Sequence, residues 1–99
     1  MKLQNFSVCM SVYKNDNSIH FKKAMESVIH QTVVPNEIVL VIDGPVLFEL
    51  KETILELVQK YSFIKPIWLK ENVGLGNALA IGVKNSEFDI IARMDSDDI

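Results

Sequence analysis

Four short apolar runs separated by amphipathic stretches constrain the fold of this chain more than any other feature. The clearest run, at residues 38–42, consists of five consecutive residues with high β-propensity, and the others lie at residues 6–12, 64–69 and 88–94. Runs of this length and composition are typical of strands that are buried on both faces of a sheet.

Apolar residues recur at helical spacing in each interval between these runs. The inward positions predicted for the three helices are Phe21, Ala24, Met25, Val28 and Ile29; Leu47, Leu50, Ile54, Leu57, Val58 and Tyr61; and Leu75, Leu79, Gly82 and Val83. Spacing of this kind places one apolar stripe on each helix. Asn17 or Ser18 is suited to cap the first helix, and Asn72 to cap the third.

The resulting order, β-α-β-α-β-α-β, predicts an α/β fold. Short loops and right-handed crossovers turn this order into a parallel sheet of about four strands flanked by helices. Pro66 lacks a backbone N–H, so we expect the third strand at a sheet edge. The chain has 99 residues, enough for a single domain spanning residues 1–99 and too few for a second one.

Composition excludes several classes of protein. The chain is 48% hydrophobic and 23% charged, as in ordinary globular proteins, and its net charge of −3 argues against a general nucleic-acid binder.

Cys9 lies inside an apolar run, so we expect a buried reduced thiol rather than a disulfide or a nucleophile. No apolar stretch approaches the ~20 residues that span a bilayer, and residues 1–5 do not resemble a secretion signal. We therefore expect a cytoplasmic protein.

Polar side chains follow each predicted strand. Tyr13 comes after the first, Asp43 after the second, Asn72 after the third and Asp95 after the fourth. The carboxyl ends of parallel strands meet at one edge of a sheet, which is where open α/β sheets bind ligands. The sequence thus predicts a ligand site at this edge.

Three carboxylates are crowded together just after the fourth run, at Asp95, Asp97 and Asp98. Neighbouring anions repel one another unless water or a cation separates them. Oxygen-only ligands favour Mg²⁺ or Mn²⁺ over zinc, and Mg²⁺ is commonly shared with substrate phosphates. The cluster therefore indicates a divalent metal site, with a solvated acidic turn as the alternative.

Five segments of the chain together suggest a family. They are residues 7–13, 27–32, 37–44, 72–82 and 92–98, the last of which contains a DxD motif. In this order and at this spacing they resemble the nucleotide-binding half of a family 2 glycosyltransferase with the GT-A fold. The resemblance runs across nearly the whole chain.

The resemblance implies a role for several residues in binding a donor nucleotide. Ser11 and Tyr13 would border the base, with the Tyr13 ring available for stacking. Asp43 would accept a hydrogen bond from the imide N–H of the base, which favours uracil. The resemblance also assigns Asn72, Gly74 and Gly76 to the same site.

The resemblance also implies a metal centre. Asp95, together with Ser96, would reach the ribose or the metal, and Asp97 and Asp98 would hold Mg²⁺ or Mn²⁺ against the diphosphate. Such a cation stabilises the negative charge that builds on the leaving phosphate.

The chain departs from the family pattern in two places. The family often has two aspartates where Ile42 and Asp43 stand, and it commonly has Arg-Asn where Leu79 and Ala80 stand. Family members also continue into an acceptor-binding half that contains the general base, which we therefore expect beyond residue 99. We expect the 99 residues alone to lack transferase activity.

In the full enzyme, the resemblance implies transfer of a sugar from a nucleoside diphosphate sugar, with UDP as the expected nucleotide, to a glycan acceptor with inversion. Surface polysaccharide biosynthesis at the inner face of the membrane, with peripheral membrane association, is the implied setting. Alternatives are a non-catalytic interaction domain of the same fold, a related nucleotidyltransferase and an NAD-binding Rossmann domain. The last would use Gly74 and Gly76, but Leu79 stands where its third small residue belongs.

Overall fold

The computed structural model describes residues 5–88 and 91–95. Within them the chain forms four strands, β1 (Ser7–Val12), β2 (Glu37–Ile42), β3 (Ile64–Trp68) and β4 (Ile91–Asp95). Three helices alternate with the strands, α1 (Ser18–Ile29), α2 (Phe48–Lys60) and α3 (Leu75–Lys84). The element order predicted from the apolar runs is confirmed.

All pairings between these strands are parallel, and the order across the sheet is β3-β2-β1-β4. The chain moves outward from β1 through β2 to β3 and then returns to the other side of β1 for β4. The strand order therefore reverses between β1 and β4, as it does at the switch point of doubly wound nucleotide-binding folds. Pro66 lies in β3 at one edge of the sheet, as predicted.

Alternate residues of the central strands face opposite sides of the sheet. Val8, Met10 and Val12 of β1 join a large core cluster that also contains the buried stripes of α1 and α2. Cys9 packs on the other face in a smaller cluster with Val39, Val41 and Ala78. Two helices thus cover one face of the sheet and α3 covers the other.

Helix α3 approaches the sheet closely because its inward residues are small. Ala78 and Gly82 are its buried residues. A Cβ atom added at Gly82 would lie 3.3 Å from a Val41 methyl group and 3.4 Å from the Cys9 sulfur atom. Position 82 therefore leaves almost no room for a larger side chain.

Three details of the predicted elements are wrong. Leu47 and Leu75 were expected to face inward, but they are 71% and 54% exposed. Leu47 occupies the N-cap of α2 and Leu75 is the first residue of α3. Both fit the apolar spacing of their helix, but they lie at its start, outside the surface that packs on the sheet. Phe88 was expected in the fourth strand, which instead comprises Ile91–Asp95.

Among the described residues, no helix is both long and apolar enough to cross a membrane.

Candidate functional site

The register of the sheet brings the carboxyl ends of its strands to one edge. Val12 pairs with Ile42, and Ile42 pairs with Trp68. On the other side of β1, Ser11 pairs with Asp95. The chain segments that follow β1, β2 and β3 therefore begin side by side, and β4 ends beside them.

The segment after β1 forms a tight turn around Asp16. The Tyr13 N–H donates to the Asp16 carboxylate at 2.9 Å, and the Asp16 N–H donates back to the Tyr13 carbonyl at 3.0 Å. Asn17 then caps α1 by accepting from the N–H groups of Ile19 and His20 at 2.8 and 3.2 Å, which confirms its predicted role. The Tyr13 side chain is 40% exposed, so an apolar ring surface is accessible at this edge.

The segment after β2 is organised by Asp43, which is 3% exposed. Its Oδ1 atom accepts from the Val73 N–H at 2.7 Å. Its Oδ2 atom accepts from the Gly74 N–H at 3.1 Å and from the Asn72 side-chain amide at 3.3 Å. A carboxylate has about four acceptor positions, so most of those on Asp43 are filled by the segment that precedes α3.

Asn72 does not cap α3, contrary to the prediction. Its side-chain amide donates to the carbonyl and carboxylate of Asp43, and Gly74 occupies the N-cap position without any side-chain cap. The cap was predicted two residues too early because Asn72 is a common capping residue type just ahead of the apolar stripe. Its partner, Asp43, lies 29 positions away in sequence, so local patterns could not identify it.

Two of the three glycines at this edge have backbone conformations that favour glycine. Gly44 and Gly74 have φ angles of 93° and 92°. Gly44 is also packed tightly, since a Cβ there would lie 2.7 Å from the Asn72 backbone nitrogen. Gly76 lies in the first turn of α3 and has space for a Cβ, so the fold itself does not require glycine there.

The acidic cluster is only partly within the described residues. Asp95 ends β4 opposite Ser11, whereas Ser96, Asp97 and Asp98 lie outside the described residues. Across residues 5–88 and 91–93, whose side chains the structure describes, no three His, Cys, Asp or Glu residues are grouped to hold a metal ion. The assignments of metal and donor ligands to this cluster stay predictions.

A second buried acidic residue, which the sequence analysis did not single out, lies at the opposite end of β2. Glu37 is 1% exposed and accepts hydrogen bonds from the Ser7 hydroxyl at 2.6 Å and from the Glu87 N–H. The Lys65 amine lies 2.8 Å from its other carboxylate oxygen. A charged residue opening a strand that is otherwise wholly apolar was the available signal in the sequence.

Burial by itself would raise the pKa of the Glu37 carboxyl, but hydrogen bonds from its three partners more than offset this effect and hold the pKa below its ordinary value. The group ties β1, β2, β3 and the segment before β4 together at their amino ends. It is therefore a structural group at the end of the sheet that lies opposite the candidate site.

Cys9 is confirmed as a buried free thiol. Its sulfur atom lies 3.1 Å from the Ser86 hydroxyl. Burial raises the pKa of the thiol, which disfavours the reactive thiolate. The residue thus belongs to the packing beneath α3.

Comparison with known proteins extends these observations. The family model of glycosyl transferase family 2 matches residues 7–99. The Escherichia coli UDP-Gal:alpha-D-GlcNAc-diphosphoundecaprenol beta-1,3-galactosyltransferase is 37% identical over 94 residues, which are 95% of this chain and 34% of that protein. The amylovoran biosynthesis glycosyltransferase AmsE of Erwinia amylovora is 36% identical over 97 residues, covering 95% of this chain and 35% of that protein. The chain thus spans about a third of the length of these curated relatives.

A solved structure with the same fold is the mannosyltransferase PcManGT from Pyrobaculum calidifontis, determined with GDP-Man and Mn²⁺. It superimposes on 94% of this chain and 27% of its own chain with a TM-score of 0.78, at 15% identity. This likeness establishes the fold, a parallel GT-A sheet flanked by helices. Since the family model covers nearly all of the sequence, the chain belongs to glycosyl transferase family 2.

Proposed function

We propose that this chain is the donor-binding part of a glycosyltransferase that takes a sugar from a nucleoside diphosphate sugar, with UDP as the nucleotide. The observation that carries the proposal is the strand order β3-β2-β1-β4, which places the switch point between β1 and β4. Ligands of open α/β sheets bind in the crevice outside the carboxyl ends of the strands at this point. Ser11 and Asp95 belong to the two strands that border it, and Tyr13 directly follows β1.

The base of the nucleotide would lie against Tyr13. Its exposed ring offers a flat apolar surface, and the turn around Asp16 holds the backbone of Tyr13 in place. Stacking on an aromatic ring supplies affinity for any base, so this contact alone does not select uracil.

The diphosphate would be held through a divalent cation, Mn²⁺ or Mg²⁺. Asp95, Asp97 and Asp98 supply the carboxylate oxygens that these ions prefer. When bound, the cation would neutralise charge on the leaving diphosphate. Ser96 lies within the same cluster, where its hydroxyl is suited to contact the donor.

The relatives support a glycan acceptor. The Escherichia coli relative is named for transfer from UDP-Gal to a GlcNAc linked to diphosphoundecaprenol, and the Erwinia amylovora relative for amylovoran biosynthesis. We infer that the complete enzyme acts with inversion in surface polysaccharide biosynthesis. Because its acceptor would carry a lipid, peripheral association with the inner face of the membrane is part of the proposal.

Calorimetric titration of the chain with UDP, with and without Mn²⁺, tests the donor site. We expect weak binding that strengthens when Mn²⁺ is present. Asp97→Ala should remove the Mn²⁺-dependent gain, whereas Glu56→Ala, on the exposed face of α2, should retain it. Absence of UDP binding by the folded chain would contradict the proposal and favour an interaction domain.

Two further assays address the remaining alternatives. Fluorescence titration with NADH should give no saturable binding, because Gly74 and Gly76 follow β3 rather than the first strand of the unit. We expect no glycosyl transfer by the purified 99 residues. Transfer by these residues alone would show that the general base lies within them.

A further inference from the structure

We propose that Asp16 is a positioning residue of the donor site, which fixes the turn that carries Tyr13 and contributes to nucleotide affinity through that ring alone. The inference rests on the proposed function, since Tyr13 is the residue proposed to stack on the base. It adds to the site a residue that acts on the nucleotide only through another residue.

The turn after β1 is anchored at both ends but not in its middle. Val12, the last residue of β1, is fully buried. On the other side of the turn Asn17 caps α1, and Phe21 of that helix is also fully buried. Residues 13–15 between these points are exposed. Core packing therefore fixes where the turn begins and ends, but it does not fix the path between the two points.

An open groove lies beside the turn, between it and the start of α2. Its volume is about 470 Å³, and its lining consists of Asp16, Asn17 and Ser18 together with residues 47–50. Close-packed side chains hold neighbouring segments rigidly in a protein core, whereas this space leaves the turn without such support on the side facing α2. Hydrogen bonds must therefore order the turn.

Asp16 supplies these hydrogen bonds as a reciprocal pair. Its carboxylate accepts from the Tyr13 N–H at 2.9 Å, and its own N–H donates to the Tyr13 carbonyl at 3.0 Å. A capping box satisfies two backbone groups in a similar way, with a side chain that reaches back three residues. Because the N–H and the carbonyl of Tyr13 are both bound, its backbone dihedral angles are restricted. The direction of its side chain at the sheet edge is restricted with them.

A ring that is ordered before the nucleotide arrives binds it more tightly than a mobile ring, because less conformational freedom is lost on binding. Removing the Asp16 carboxylate should therefore weaken UDP. The charge of this carboxylate has the opposite effect, since an anion near the diphosphate repels it. A weaker affinity after the carboxylate is removed is thus a sign of lost order in the turn and not of changed charge.

A double-mutant cycle between positions 13 and 16 tests the inference. The chain is titrated with UDP and Mg²⁺ and followed by NMR, which measures weak affinities. We expect Tyr13→Ala to weaken UDP by about tenfold or more, because a stacking contact is lost. Asp16→Ala should weaken UDP by about three- to tenfold.

The decisive comparison is Asp16→Ala in the Tyr13→Ala background, where we expect a change of less than about twofold. A general structural effect of Asp16 would persist in that background at its full size, and this result would overturn the proposal. UDP affinity that is unchanged by Tyr13→Ala would also overturn it, since the ring would then make no contact to be positioned.

Asp16→Asn and Glu49→Ala are the matched controls. The Asn side chain keeps an oxygen that can accept from the Tyr13 N–H and removes only the charge. Glu49→Ala removes an equal charge from the lining of the same groove, outside the turn. UDP affinity should stay within about twofold of wild type in both. A loss in either control as large as that in Asp16→Ala would overturn the proposal.

A measurement on the wild-type chain covers the case in which Asp16→Ala fails to fold. The Tyr13 amide should exchange with solvent at least about tenfold more slowly than in an unstructured chain, because its hydrogen is bound by the Asp16 carboxylate. Asp16→Asn should keep this protection. Exchange of the wild-type Tyr13 amide at the unstructured rate would overturn the proposal.

Failure of this inference can be told apart from failure of the proposed function. If the wild-type chain binds no UDP, the proposed function fails, and the role of Asp16 fails with it. If the wild-type chain binds UDP but the effects of Tyr13→Ala and Asp16→Ala are additive, the donor site stands and only the role of Asp16 is overturned.

Discussion

Two buried acidic residues lie at the two ends of β2 and fix it to its surroundings. Glu37 begins the strand and Asp43 follows its last residue, and each accepts hydrogen bonds from residues far away in sequence. A carboxylate is stable in such a place only when donors surround it. Both ends of the central strand therefore depend on specific polar contacts as well as on apolar packing.

Replacing Glu37 with Gln should lower the free energy of unfolding by about 1–3 kcal/mol at pH 7, because the charged hydrogen bonds to Ser7 and Lys65 weaken. The pKa of Glu37 is lowered in the folded chain, so its contribution is present above the ordinary value of 4.5 and is lost as pH falls through the folded value. Urea unfolding at pH 7 and below pH 4.5 measures both effects.

The control for this prediction is Glu56→Gln, a change on the exposed face of α2. It should alter stability by less than about 0.5 kcal/mol. Compared with wild type, Glu37→Gln should lose less stability on acidification. A Glu37→Gln variant with the same unfolding energy as wild type at both pH values would show that the buried group contributes nothing net.

At the scale of helices and strands, the sequence predicted which elements form but not how the segments between them are held. The buried stripe of α1 follows from the 3.6-residue period, and β2 from its apolar run. Asn17 caps α1 as predicted because its donors lie within three residues. Asn72 does not cap α3, because its side chain bonds to Asp43, which lies in the distant segment after β2.

The same limit applies to the candidate site. The order of parallel strands was enough to predict that Tyr13, Asp43 and Asp95 come to one edge, and the register agrees for the backbone of all three. The Asp43 side chain takes its direction from its contact with residues 72–74, which donate three hydrogen bonds to its carboxylate. That contact is set by tertiary structure, which no local pattern encodes.

Gly44→Ala and Gly76→Ala form a matched pair at this scale. The first adds a Cβ 2.7 Å from the Asn72 nitrogen at a φ of 93°, so we expect a loss of about 2–4 kcal/mol. The second adds a Cβ in open space inside α3, where alanine is favoured over glycine by about 0.5–1 kcal/mol. Thermal unfolding measures both. Equal stability of the two variants would contradict this expectation. It would show that Gly44 can move away from the Asn72 backbone without lowering the free energy of unfolding.

On the scale of the whole molecule, the two faces of the sheet are packed unequally. The cluster beneath α1 and α2 has fifteen buried residues among those described, and the cluster beneath α3 has four. The buried residues of α3 are small, its larger residues Leu79 and Val83 are only partly buried against this cluster, and its first residue, Leu75, is 54% exposed. Regions with few buried apolar contacts open at a lower free energy than the core. We therefore expect α3 to open before the rest of the fold.

Native-state hydrogen exchange in low concentrations of urea tests this expectation, with two adjacent residues of β2 as the comparison. Leu40 faces α1 and α2, and Val41 faces α3. Leu40→Ala should lower the global unfolding energy by about 2–5 kcal/mol and accelerate exchange in every element. Val41→Ala should accelerate α3 more than α1, because it removes contacts on that face alone. Equal opening energies for α1 and α3 in wild type and in both variants would mean that the chain unfolds as one unit, with the edge that carries Asp43 and Tyr13 as stable as the core.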